Sequence, residues 1–183
     1  PNETNKLGNF VEFKNLLYFS ADDNSTGSEL WKSDGTVAGT VMIKDINSGA
    51  TGSSIDNMSV VGDELFFSAD DGTNGAELWK TDGTEAGTVL VKDIKLGASG
   101  SSLNYFRNFN GALYFSANDG THGAELWKSD GTEAGTVMLK DIRVGSVNFS
   151  TNSSPKDLIV AGNTLYFIAD DGLTGFELWK SNG

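Results

Sequence analysis

The chain has 183 residues and a formal net charge of −12, from 25 acidic and 13 basic side chains, with no cysteine. Such a surface repels phosphate backbones and excludes nucleic acid as a natural partner, and the lack of cysteine excludes a disulfide scaffold. No apolar run approaches the roughly 20 residues of a membrane helix, so membrane insertion is not expected. Four Trp and eleven Phe suffice for a packed core. The first residues, PNETNK, lack a Met and a signal peptide, as in a mature or excised fragment. Asn2, Asn24, Asn57, Asn148 and Asn152 each head an N-x-[ST] triplet, which a chain rich in Asn, Ser and Thr supplies by chance.

In chain order, NFVEF at 9–13 predicts a first strand and LLYFSA at 16–21 a second. A hairpin, DDNSTG, leads into ELWK at 29–32; the turn SDGTVAG then leads into TVMIKDI at 40–46. The unit recurs as strands at 57–61, 64–69, 77–80 and 88–94, again at 104–109, 112–117, 125–128 and 136–142, and finally at 157–161, 164–169 and 177–180. Its anchors Trp31, Trp79, Trp127 and Trp179 are 48, 48 and 52 residues apart, and 24 of 31 positions agree between residues 64–94 and 112–142.

No segment has useful helical periodicity, and the strands are apolar on both faces. In the third unit Leu113 and Phe115 oppose Tyr114, and Val137 and Leu139 oppose Met138 and Ile142. Sheets stacked on both sides have that pattern. The fold class is therefore all-β: propeller-type blades of four antiparallel strands, three complete and a fourth lacking its outer strand, with a β-solenoid as the alternative. The chain forms a single repeat domain with blades at about 9–46, 55–94, 103–142 and 157–183.

The consensus LYFSADDGTxGxELWKSDGTxAGTVxxKDI resembles the bacterial ELWxxDGT repeat family over nearly the whole chain. The resemblance implies tandem copies in large secreted or surface-attached bacterial proteins, and it implies no assigned reaction. The fourth copy departs from the pattern at Ile168, Phe176 and Asn182.

Two motifs invite a chemical reading. Asp34, Asp82 and Asp130 precede Gly-Thr between the third and fourth strands, as turn caps do. Asp22, Asp23 and Glu29 cluster around a Gly-bearing hairpin, as do Asp70, Asp71 and Glu77, then Asn118, Asp119 and Glu125, then Asp170, Asp171 and Glu177. Oxygen donors so grouped suit Ca²⁺, although the spacing is not that of an EF-hand, and capped turns account for the same residues. The four Trp are expected between blades, each indole N–H finding a carbonyl; a sugar-stacking platform is the alternative. The Lys and Asp of KDI guard an outer edge. His122, the only histidine, aligns with Thr26, Asn74 and Thr174 in a turn and has no catalytic reading.

The functional expectation is a non-enzymatic extracellular module of a bacterial surface or secreted protein, a structural or adhesive scaffold that self-associates or joins further repeats by edge-strand completion. The alternatives are a multivalent lectin-like propeller binding glycans or surface proteins, and a fragment of a larger propeller enzyme.

Overall fold

The computed structural model describes residues 7–144 and 151–183; the Asn2 and Asn148 triplets and the PNETNK segment lie outside them. Among the described residues all regular structure is β-strand. The first sheet holds β1 (Gly8–Phe13), β2 (Leu16–Asp22), β3 (Ser28–Ser33) and β4 (Val41–Lys44). The second holds β5 (Asp56–Val61), β6 (Glu64–Asp70), β7 (Ala76–Thr81) and β8 (Val89–Lys92). The third holds β9 (Asn104–Phe109), β10 (Ala112–Asn118), β11 (Ala124–Ser129) and β12 (Val137–Lys140). The fourth has three strands, β13 (Lys156–Ala161), β14 (Thr164–Asp170) and β15 (Phe176–Ser181). Each sheet is an antiparallel meander in sequence order, so the units are propeller-type blades and not solenoid coils.

Local chemistry explains the meander. Asn110-Gly111 takes positive φ at both residues, 52° and 75°, as a two-residue hairpin between Phe109 and Ala112 needs. Every inner strand carries a bulge with a positive-φ residue: Asn9, Asn57, Tyr105 and Asp157. Two of these reach the neighbouring blade. Asn9 Nδ2 donates to the Ile55 carbonyl at 2.7 Å, and Asn57 Nδ2 to the Leu103 carbonyl at 3.0 Å. The inner strands β1, β5, β9 and β13 thus run side by side in that order.

The core lies between sheets, in three layers. Tyr18, Leu30 and Ile43 of the first sheet meet Leu65, Phe67 and Trp79 of the second. Phe66, Leu78 and Val91 meet Leu113, Phe115 and Trp127. Tyr114, Leu126 and Ile142 meet Leu165, Phe167 and Ala169. Each blade therefore has a forward face, bearing the Leu of ELW, and a back face, bearing its Trp. Ile142 sides with Leu139 on the forward face, not with Met138, because β12 ends at Lys140 and strict alternation ends with it.

Candidate functional site

The SDGT turn is a closed circuit of hydrogen bonds. In the second blade the Thr84 amide and hydroxyl both donate to Asp82 Oδ1, at 2.8 and 2.7 Å. The Gly87 amide donates to Thr84 Oγ1 at 2.9 Å, and Thr88 Oγ1 donates to the Thr84 carbonyl at 2.7 Å. A Cβ on Gly87 would press on the Asp82 carboxylate, which would have to leave its hydrogen bonds to Thr84 to make room. The first and third blades repeat the circuit around Asp34 and Asp130. These hydrogen bonds hold all three carboxyls below their ordinary range.

Lysines of one blade grip this turn of the next. Lys32 Nζ donates to the Gly83 carbonyl at 2.7 Å, and Lys14 Nζ to the Asp82 carbonyl at 2.9 Å. Lys44 Nζ reaches the Thr88 carbonyl and Lys92 Nζ the Thr136 carbonyl, each at 2.9 Å. The Lys of KDI is therefore an inter-blade clasp and more than an edge guard.

The Glu of ELW is a buried peg for the chain that connects blades. Glu29 accepts from the Ile46 amide at 3.1 Å, the Asn47 amide at 3.4 Å and the Ser53 hydroxyl at 2.7 Å. Glu125 accepts from the Ile142 amide at 3.0 Å, the Ser153 amide at 3.2 Å and the Ser153 hydroxyl at 2.6 Å. Glu77 takes the amides of Ile94 and Lys95 at 3.0 and 3.3 Å; Ser101 lies at the equivalent place, but its hydroxyl makes no well-aligned hydrogen bond. Burial raises all three carboxyls, Glu77 to about 7, against the lowering effect of these donors. The linker runs so close to the blade that a Cβ on Gly52 would meet the Ser28 amide nitrogen at 2.3 Å.

These contacts decide how the acidic residues fit a cation. Asp23 Oδ1 accepts from the amides and hydroxyls of Ser25 and Thr26. Asp71 and Asp119 accept from turn amides in the same way, and Asp22, Asp70, Asn118 and Asp170 each accept from the amide two residues on. Asp171 accepts from the Leu173 and Thr174 amides, and Asp170 also pairs with Arg143 at 2.6 Å. The Glu in each complete blade faces the linker, engaged by other donors. Among the described residues no three acidic or imidazole side chains converge on one point.

Of the tryptophans, Trp79 and Trp127 are buried in the layers between sheets, and Trp179 packs against the third layer with its indole N–H on the Ala169 carbonyl at 3.1 Å. The indole nitrogens of Trp31 and Trp127 are buried without a partner, so the expected carbonyl is not found there. His122 Nδ1 contacts Asp119 Oδ2 at 2.7 Å, where Asn74 Nδ2 meets Asp71 Oδ2 at 2.8 Å in the second blade. The linker serines Ser53 and Ser153 escaped the sequence reading; the KDI aspartates Asp45, Asp93 and Asp141, read there as edge guards, have Oδ1 atoms buried without a partner. The signal for the serines is a Ser-Ser pair recurring at 53, 101 and 153.

A groove of about 630 Å³ lies at the joint of the first two blades, lined by Asn9, Ser20, Asp22, Ser28, Ser54 and Asp56 among others. The forward face of the fourth blade is an uncovered apolar area. There Leu178 is 72% exposed, Ile159 60% and Phe176 56%. Two departures from the repeat, Ile168 and Phe176, belong to this face: Ile168 pairs with Leu178, where the other blades have Ser20, Ser68 and Ser116.

No protein-family model matches the chain, and no curated protein matches it. Solved structures do. A puromycin hydrolase shares the fold with TM-score 0.59 and 16% identity, over 90% of this chain and 25% of that one. A prolyl endopeptidase matches with TM-score 0.56 and 11% identity, over 97% of this chain and 26% of that one. Bacteroides ovatus xyloglucan PUL GH43B is a looser likeness, with TM-score 0.47 and 15% identity over 98% of this chain and 39% of that one. The chain spans about a quarter of the length of the two hydrolases, and at such identities the likeness is one of fold. It nevertheless corrects the expectation of a chain foreign to enzymes. That expectation rested on the repetition of the blades, and blades of this build are found within hydrolase chains.

Proposed function

We propose that this chain is a propeller segment of a larger hydrolase, supporting a catalytic centre carried elsewhere in the full polypeptide. The observation that carries the reading is the pair of fold matches that take in nearly all of this chain but a quarter of each hydrolase. The uncovered forward face of the fourth blade agrees with it, because Leu30, Leu78 and Leu126 on the same face are each covered by the next blade. The repeated Asp, Thr and Glu side chains serve the turns and linkers, so the blades' part is shape and support. The charge of −12 and the resemblance to ELWxxDGT repeats support a place in a secreted or surface-attached bacterial protein.

The test is hydrolysis of a panel of peptide and amide substrates by the full natural polypeptide that carries these blades, beside residues 1–183 alone. The reading expects turnover by the former and none by the latter. A full polypeptide that hydrolyses none of the panel contradicts it.

A further inference from the structure

We propose that Asn110 is a self-modifying site, where the Gly111 backbone nitrogen closes on the Asn110 side-chain amide and converts it to aspartate and isoaspartate. The proposal rests on the geometry of one hairpin and is independent of the hydrolase reading.

The chain carries an Asn-Gly pair at 110–111 and another at 74–75, in opposite settings. Asn110 and Gly111 form the exposed tip between β9 and β10. Among the described residues neither the Asn110 side chain nor the Gly111 N–H has a hydrogen-bond partner. Nothing lies within 4 Å of the place a Gly111 Cβ would take. The tips of the first two blades, Lys14-Asn15 and Gly62-Asp63, are exposed as well, and Lys14 reaches a complete SDGT turn at the Asp82 carbonyl. The openness therefore belongs to the hairpin and not to its neighbours.

Asn74 is locked. Its Nδ2 donates to Asp71 Oδ2 and its backbone N–H to Asp71 Oδ1, each at 2.8 Å. Gly75 is buried, and a Cβ there would overlap the Gly100 backbone of the linker. The Asn74 carboxamide cannot turn toward the Gly75 nitrogen without leaving a carboxylate, and Gly75 cannot move without the linker.

The step at Asn110 uses water as its only co-reactant. The Gly111 amide gives its proton to hydroxide, and its nitrogen attacks Asn110 Cγ, with no Cβ on Gly111 in the way. The N–Cγ bond forms, the Cγ–Nδ2 bond breaks, and Nδ2 takes up a proton from water and leaves as ammonia. Water then opens the cyclic imide at either carbonyl. One opening restores the ordinary chain as aspartate; the other leaves the main chain running through Cβ and Cγ, as isoaspartate. Aspartate suits this tip, because Asp-Gly favours the same turn as Asn-Gly. Isoaspartate lengthens the main chain of a two-residue loop by a carbon, which loosens the Phe109–Ala112 pair.

The experiment holds the chain in mildly alkaline buffer, folded and in concentrated urea. Its peptides are followed over days by mass spectrometry, with aspartate and isoaspartate forms separated. In urea each Asn-Gly pair shows its unhindered rate. Folding should leave Asn110 close to that reference and slow Asn74 more than about tenfold, since two hydrogen bonds to a carboxylate must break first. Asp71→Ala removes both bonds and should bring Asn74 back toward its rate in urea; if that variant does not fold, the comparison in the unaltered chain decides alone. Protection of Asn110 as strong as that of Asn74 overturns the proposal. So does an Asn110 that stays intact while the urea sample converts, or aspartate without isoaspartate at 110, which would mean direct hydrolysis.

Discussion

The third and fourth blades contain nearly the same words, AELWKSDG and FELWKSNG, in different surroundings. Leu126 is 2% exposed and Leu178 72%. Glu125 receives the Ile142 amide and the Ser153 amide and hydroxyl, while one oxygen of Glu177 has no partner. The same residue type pins the linker in one blade and meets the Thr174 hydroxyl of its own turn in the other, because its further partners belong to the linker and the next sheet. The repeated motif is thus half of a joint, and its stabilising effect depends on the other half.

That contrast can be broken by paired substitutions. The largest difference is expected for leucine. Leu78→Ala, in a site with no exposure, should cost about 2–5 kcal/mol from lost burial and the cavity left behind. Leu178→Ala should change stability by less than about 0.5 kcal/mol. Urea titration of both variants measures the pair; equal costs would mean that the fourth blade's face is covered in solution.

Next comes pH. Burial raises Glu77 from its ordinary value to about 7 in the folded chain. A raised carboxyl contributes stability that is fully present below the unfolded value near 4.5 and is lost as pH rises through about 7. Melting temperature should therefore fall between pH 5 and pH 7.5, and Glu77→Gln should flatten part of that fall. The turn aspartates, with lowered values, act at more acid pH and do not mask it. An unchanged pH profile in Glu77→Gln would show that Glu77 does not titrate in this window.

The smallest effect is expected at His122. Because Asn74 makes the same contact in the second blade, His122→Asn should leave the melting temperature at pH 7.5 essentially unmoved. A clear loss would assign the imidazole a role that its repeat partner does not share.

The strands were legible because β-branched and aromatic runs recur with turn signals at fixed offsets, and the two-sided apolar pattern foretold sheets packed on both faces. The role of the ELW glutamate was not. The donors to its carboxylate lie 17 and 24 residues downstream, at Ile46 and Ser53 in the first blade, across a linker without regular structure. An acidic residue after a Gly-rich hairpin reads the same whether it faces a cation or backbone amides. The lysine clasp was equally hidden, since Lys44 and the Thr88 carbonyl are 44 residues apart and the carbonyl carries no side-chain signature. The 52-residue spacing before Trp179 becomes intelligible with the structure: Glu125 and Ser153 still meet, so the additional residues lie in the linker between them.

The most direct test of the half-joint is thermal and urea unfolding of Glu77→Ala beside Glu177→Ala. The first leaves the buried Ile94 amide and the part-buried Lys95 amide without an acceptor and should cost on the order of 2–5 kcal/mol. The second should lose almost nothing, because its linker partners are not in place. Equal losses at the two positions, or none at Glu77, would contradict the account that the motif stabilises a blade only when the linker and the next sheet complete it.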